Sequence, residues 1–294
     1  MVAAQETIAV IPGQVPLHAV VHGCLETAHP PWALLFCDPF AEEKKCAHRV
    51  MVEAARAFCE ADIGCMRFDY RGTGDSAGSF ADATPEEWVE DILAAARYVR
   101  DTLQARTLGL LGLRLGAALA VQAAVADEEL VDFLVLWEPV INGKQYLQQN
   151  LRRSMIKAML TDEEKFDAGR VRAAQRDEVF DFDGYPISSE MRRQIEAIDL
   201  LEIKPADVEP SLVVNIGTRD QPGEGYVALA ERLRGRAVAV RQEPFWARIG
   251  LISAQPVVEA SEIWLAEQQA SSLNDRYLRR AAKRPVDTEQ DEET

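Results

Sequence analysis

Residues Leu110 to Ala117 read L-L-G-L-R-L-G-A, with one residue between Arg114 and each of Gly112 and Gly116. The stretch begins in the apolar run Thr107 to Leu113 and ends in an alanine-rich segment, Ala117 to Asp127. This is the G-x-S-x-G spacing of a nucleophile elbow, a sharp strand-to-helix turn whose neighbours must be small. Serine is expected at its centre, and Arg114 stands there. A guanidinium stays protonated at any working pH and cannot attack a carbonyl. It can hold an anion: Arg114 carries a fork of donors, and the N–H of Leu115 opens a helix whose dipole favours negative charge. The competing reading is that an internal carboxylate, from Asp38, Glu42, Glu138 or Asp220, neutralises Arg114.

A serine nucleophile also needs an acid and a base, in the chain order nucleophile, acid, histidine. Val213 to Asp220 reads as a strand and its following loop, with Asp220 at the acid position. The histidine is expected in Gln242 to Gly250, Q-E-P-F-W-A-R-I-G, where Trp246 takes its place. The four histidines are His18, His22, His29 and His48, and none follows His48. The triad positions are thus Arg114, Asp220 and Trp246. The loop Asp38 to Glu43, which includes Phe40, stands where such enzymes supply an oxyanion N–H. The carboxylates of Asp38, Glu42 and Glu43 oppose an oxyanion there. Glu42 and Glu43 also suit the start of the next helix. The candidate binding residues are therefore Asp38, Phe40, Glu42, Glu43, Arg114, Leu115 and Glu138.

The elements that must position these groups alternate. Thr7 to Pro12 and Pro16 to His22 form a hairpin around Gly13, and Trp32 to Cys37 is a strand buried on both faces. A helix is expected over His48 to Ala61, ended by Gly64, then a strand over Cys65 to Phe68. Thr84-Pro85-Glu86-Glu87 is a helix start with Thr84 as cap, and that helix runs to about Leu103. The elbow strand and its helix come next, then a strand over Val131 to Trp137. From Pro139 to Pro210 no strand is evident, only helical patterns near Lys144 to Leu160 and Ser189 to Leu201. Ser211 to Ile216 resumes the sheet, followed by a helix, Ala237 to Arg241 as last strand, and a helix over Pro256 to Gln269. This order predicts a mainly parallel sheet with helices on both faces. The core is 1–138 with 211–282, residues 139–210 form an inserted helical cap, and 283–294 form a disordered acidic tail.

Composition narrows the partners. The chain has 294 residues, 48% hydrophobic, and a net charge of −16 from 32 basic and 48 acidic residues. Such a balance argues against nucleic acid and anionic membrane. No apolar run has the length of a membrane span, and Met1 to Val10 lacks a basic signal-type region. A cytoplasmic protein is expected. The five cysteines, Cys24, Cys37, Cys46, Cys59 and Cys65, form no C-x-x-C pair, so neither a metal nor a redox motif is signalled and no cofactor is expected.

Several stretches carry a resemblance: Pro39 to Lys44 (P-F-A-E-E-K), Gly72 to Phe80 (G-T-G-D-S-A-G-S-F), Gly112 to Ala117 (G-L-R-L-G-A), Leu136 to Leu147 (L-W-E-P-V-I-N-G-K-Q-Y-L), Gly184 to Ser188 and Pro244 to Trp246. Within the α/β-hydrolase superfamily the chain resembles the exosortase A system-associated hydrolases of the second type, which accompany bacterial exopolysaccharide gene clusters. The resemblance implies an α/β-hydrolase fold and Arg at the elbow as a family trait, with Glu138 in place of a more usual Gln. The loop Asp69 to Gly78 matches a known loop of the superfamily. Asp69 and Arg71 are expected to brace it, with Ser76 structural. Two functions follow. One is a non-hydrolytic protein that binds an anionic or sugar-like small molecule, or a protein partner, at the elbow. The other is an atypical hydrolase of an ester, amide or glycan-related substrate, with the Asp38 loop as base and Arg114 polarising the substrate.

Overall fold

A computed structural model of the chain describes residues 6–23, 31–160, 180–182, 184–203, 210–250 and 252–271. The acidic tail expected at 283–294 and the part of the insert at 161–179 lie outside these residues, as do Cys24 and His29. The strands are β1 (Glu6–Ile11), β2 (Leu17–His22), β3 (Trp32–Cys37), β4 (Ile63–Phe68), β5 (Thr107–Leu113), β6 (Phe133–Trp137), the short pair β7 (Phe180–Phe182) and β8 (Tyr185–Ile187), β9 (Ser211–Gly217) and β10 (Arg236–Arg241). The helices are α1 (Glu42–Glu60), α2 (Pro85–Leu103), α3 (Leu115–Ala126), α4 (Gly143–Leu160), α5 (Ser189–Glu196), α6 (Glu224–Arg232) and α7 (Gln255–Ala270).

Eight strands form one sheet in the order β1-β2-β4-β3-β5-β6-β9-β10. From β4 to β10 all neighbours are parallel, while β1 and β2 join antiparallel at the edge. The inner strands β3, β5 and β6 are buried at every residue, as their unbroken apolar runs require for a sheet covered on both faces. One face packs on α2, α3 and α6, through residues such as Ile92, Leu119 and Leu229. The other packs on α1 and α7, through residues such as Met51, Phe58 and Trp264. The fold is thus the one expected from the alternation of strand and helix.

The register brings the functional loops to one edge. Cys37 pairs with Gly112, Leu113 with Trp137, and Trp137 with Val214. Asp38, Arg114, Glu138 and Asn215 therefore leave four adjacent strands at nearly the same level. This is the carboxyl edge, where ligands bind in open parallel sheets.

Several boundaries differ from expectation. Helix α1 starts at Glu42, not His48, after Ala41 at φ 52°, with Glu42 and Glu43 in its first turn. It ends before Gly64: Asp62 adopts φ 59° and Gly64 lies inside β4. Thr84 caps α2 in a capping box with Glu87, as its sequence indicates. The insert between β6 and β9 contains the β7–β8 hairpin as well as helices, because Gly184 at φ 93° supplies a turn between two three-residue strands too short for a periodic signal. Helix α5 stops at Glu196, short of Leu201. Beyond it Asp199 bridges back to Asn142, and Ile198 accepts the Gly143 N–H at 2.8 Å. An added Cβ at Gly143 would meet the Ile195 carbonyl oxygen at 1.7 Å, so glycine is what lets α4 and α5 touch.

Candidate functional site

The elbow is strained and over-determined. Arg114 adopts φ 57°, ψ −118° between β5 and α3. Its N–H donates to Trp137 O at 3.0 Å, and its carbonyl accepts from Ala117 (3.2 Å) and Val140 (3.1 Å). Backbone bonds on both sides hold a conformation that a non-glycine residue otherwise avoids. The flanking glycines are needed for close approach. A Cβ on Gly116 would lie 2.2 Å from Cys37 O, and one on Gly112 would lie 2.4 Å from Ala117 Cα.

The Arg114 side chain is enclosed. Nε donates to Glu43 Oε1 at 3.2 Å, with side-chain exposures of 11% and 9%. Nη1 reaches Glu138 O at 3.5 Å. The guanidinium lies over two rings, Tyr146 at 5.3 Å and Trp246 at 5.2 Å. Tyr146 Oη donates to the other Glu43 oxygen at 3.0 Å. Burial opposes the charge on Arg114, but Glu43, Tyr146 and Glu138 outweigh it and hold the guanidinium above its ordinary pKa. Burial, then Glu43, pushes the Tyr146 phenol up, so it remains a donor. Glu43 thus opens α1 and also faces Arg114.

Glu138, at φ 43°, anchors a second network. Its Oε2 accepts from Ile216 N (2.6 Å) and Asn215 Nδ2 (2.9 Å), and its Oε1 accepts from Tyr226 Oη (2.7 Å). Asp220 lies apart from these groups: its side chain is 73% exposed and pairs with Arg241 at 3.2 Å. The structure therefore joins Arg114, Glu43 and Trp246, puts Glu138 beside them, and leaves Asp220 at the surface. Glu42 turns outward to Lys45 at 3.5 Å.

The loop after β3 also lines a cavity of about 480 Å³, walled by Asp38, Phe40 and Leu115 together with groups from three other segments. Tyr70 comes from the loop after β4, Trp88 from α2 and Tyr185 from β8. Lys44 spans Asp38 Oδ2 (2.9 Å) and Asp69 Oδ1 (2.5 Å). Burial opposes its charge, yet the two carboxylates raise its pKa above the ordinary value. The loop Asp69 to Gly78 is braced as its sequence indicates. Asp69 accepts from Asp75 N at 3.0 Å, and Arg71 bonds Asp91 through Nε (2.9 Å) and Nη2 (2.7 Å). Ser76 Oγ donates to Asp69 O and accepts from His18 N, which occupies it structurally.

Sequence reasoning missed Tyr146, Lys44, Asn215 and Tyr226. Tyr146 and Lys44 sit inside the stretches singled out, L-W-E-P-V-I-N-G-K-Q-Y-L and P-F-A-E-E-K, but only tertiary contact gives them a role. A cluster of His18, Asp69 and Asp75 has metal-ligand geometry, yet Lys44 already binds Asp69.

Residues 33–173 match the profile of the family described as serine aminopeptidase, S33. The chain is 32% identical over 78 residues to an uncharacterized 31.7 kDa protein of the traX-finO intergenic region of Escherichia coli. It is 35% identical over 83 residues to the mitochondrial palmitoyl-protein thioesterase ABHD10 of Homo sapiens. These matches cover 26% and 28% of this chain, and only 27% and 26% of the two relatives. Among solved structures it is similar to Est1E from Butyrivibrio proteoclasticus with ferulic acid bound, at TM-score 0.69 and 19% identity, covering 89% of this chain and 99% of that one. It is also similar to mouse alpha/beta hydrolase domain-containing protein 10, at TM-score 0.57 and 17% identity, covering 90% and 98%. The fold is the α/β-hydrolase fold. No helix among the described residues is long and apolar enough to cross a membrane.

Proposed function

We propose that this α/β-hydrolase-fold chain is a non-hydrolytic, cytoplasmic small-molecule binder, tied by its resemblance to exosortase and exopolysaccharide systems. Residues 139–210 act as its cap, and its ligand occupies the cavity beside the elbow. The observation that carries this reading is Arg114: the nucleophile position holds a buried cation engaged by Glu43, Tyr146 and Trp246. Acyl transfer by this architecture requires a nucleophile and a base within hydrogen-bond reach. Arginine is not the first, and Trp246 is not the second. Glu43 already neutralises the guanidinium, which favours an uncharged ligand over the anion expected from Arg114 alone. The bound ferulic acid of Est1E and the palmitoyl-protein thioesterase name of the human relative both suggest a ligand with an apolar aryl or acyl part. The walls of Phe40, Tyr70, Trp88 and Tyr185 suit such a group.

The alternative hydrolase would use Asp38 to activate water and Arg114 to polarise the substrate. It requires a free Asp38 carboxylate and a reachable guanidinium; Lys44 holds the first and Glu43 the second. The test is labelling with a fluorophosphonate probe alongside hydrolysis of p-nitrophenyl esters. No labelling and no enzymic turnover are expected. Stoichiometric labelling of one serine, abolished by a single Ser→Ala change, overturns the reading.

A further inference from the structure

Two thiols meet away from the elbow, where α1 turns back into β4. Cys59 lies in the last turn of α1, and Cys65 is the third residue of β4. Asp62 at φ 59° reverses the chain between them, and its N–H donates to Cys59 O at 3.1 Å, which fixes the end of the helix over the strand. Side chains alternate along a strand. Ile63 and Cys65 therefore face α1 with Phe58 and Cys59, while Met66 and Phe68 face the other layer. His22, the last residue of β2, pairs with Cys65 across the sheet. A Cβ placed on the next residue, Gly23, would lie 3.7 Å from Cys59 Sγ. The Cys59 sulfur thus sits at the Cys65 level of the sheet, and the two thiols are hydrogen-bonded.

The two sulfurs differ in access and in charge. Cys59 is half-buried and Cys65 is fully buried. The Cys65 thiol proton is shared between the Cys59 sulfur and Ile63 O, 3.5 Å away. The Cys65 thiol, together with the Cys65 N–H, outweighs burial and holds the Cys59 thiol below its ordinary pKa. Burial, then the Cys59 sulfur, pushes the Cys65 thiol well up. A reachable thiolate beside a buried thiol is the arrangement of an attacking and a resolving cysteine. The other described cysteines are placed differently. Cys37 belongs to the layer on the opposite face of the sheet, and Cys46 stands earlier on α1, about 20 Å along the axis from Cys59.

We propose that Cys59 and Cys65 are a hydroperoxide-responsive pair, in which Cys59 attacks the peroxide and Cys65 closes a disulfide that ties α1 to β4. The Cys59 thiolate attacks one oxygen of hydrogen peroxide, the O–O bond breaks, hydroxide leaves, and Cys59 becomes a sulfenic acid. The Cys65 sulfur then attacks the Cys59 sulfur, the S–O bond breaks, and the Cys65 proton leaves with that oxygen as water. In sum two thiols lose two electrons and two protons, and one peroxide becomes two waters. The step involves neither the cavity nor Arg114, so it stands apart from the binding reading above. The experiment treats the full chain with one equivalent of hydrogen peroxide, blocks the remaining thiols with iodoacetamide and maps the tryptic peptides. Both cysteines lie in one peptide, Ala57 to Arg67. Wild type should lose two thiols. That peptide should carry no alkyl group, run two hydrogens lighter than its reduced form, and regain both thiols with dithiothreitol. Cys65→Ala should stall at the sulfenic acid, read as a dimedone adduct on Cys59, and Cys59→Ala should form neither adduct nor bridge in the peptide. The wild-type map alone tests the pair if a variant folds poorly. Two unmodified thiols in this peptide after peroxide, or Cys59 joined to any other cysteine, would overturn the inference.

Discussion

Replacing Arg114 by Ser restores the residue type that the elbow spacing calls for, and it separates stability from chemistry. The guanidinium bonds Glu43 Oε1 at 3.2 Å, and both side chains are about nine-tenths buried. Without it, Glu43 keeps Tyr146 Oη at 3.0 Å as its remaining donor. Removing one partner of a buried pair costs about 3–5 kcal/mol. The lost stacking on Tyr146 and Trp246 adds roughly 1 kcal/mol. Urea denaturation of Arg114→Ser should therefore show a loss of about 4–6 kcal/mol. Adding Glu43→Gln removes the stranded charge, so the double variant should be more stable than the sum of the single losses by about 2 kcal/mol. Tyr146 lies on α4, so hydrogen exchange in Gly143 to Asn150 should quicken in Arg114→Ser. Turnover of p-nitrophenyl butyrate should remain absent, because a lone hydroxyl without a base is a poor nucleophile. A stability loss under about 1 kcal/mol would contradict the buried-pair argument. Rapid turnover by the single variant would reveal a base, with Asp38 the first suspect.

Further outcomes follow from other contacts. Arg114→Ser combined with Trp246→His places an imidazole where a ring already lies 5.2 Å from the Arg114 carbon, and slow esterase activity above the single variant is expected by the same assay. Gly116→Ala drives a Cβ to 2.2 Å from Cys37 O and should cost about 3 kcal/mol or more in urea melts. Lys44→Met strands Asp38 and Asp69; the burial that opposes Asp69 ionisation is then no longer outweighed by Lys44. Its deficit against wild type should be largest at neutral pH and shrink as pH falls below the ordinary carboxyl range. Burial, with Arg67 beside it, lowers His22 from 6.5 to about 4, so the folded state resists protonation that the unfolded chain accepts. Stability should fall as pH drops from 6.5 towards 4, by about 2 kcal/mol at pH 5, and His22→Asn should flatten that part of the profile.

The alternation of strand and helix, the capping box at Thr84 and the glycines around Arg114 are local signals. The repeat period, cap chemistry and small-residue spacing act within a few residues, so the sequence by itself determined the fold and the elbow. It also determined that the elbow carries a cation in a chain without a late histidine. The partner of Arg114 was decided only in three dimensions. Glu43 lies 71 residues away, and whether it faced solvent as a helix-start residue or turned to the elbow depended on the rotation of α1 against the sheet. Asp220 stood at the expected place in the chain order, yet the loop after β9 carries it outward to Arg241, while Glu138 turns to Asn215 and Tyr226. Direction and burial belong to the tertiary structure, because a side chain one position along the backbone can point to a different solvent, charge or ring.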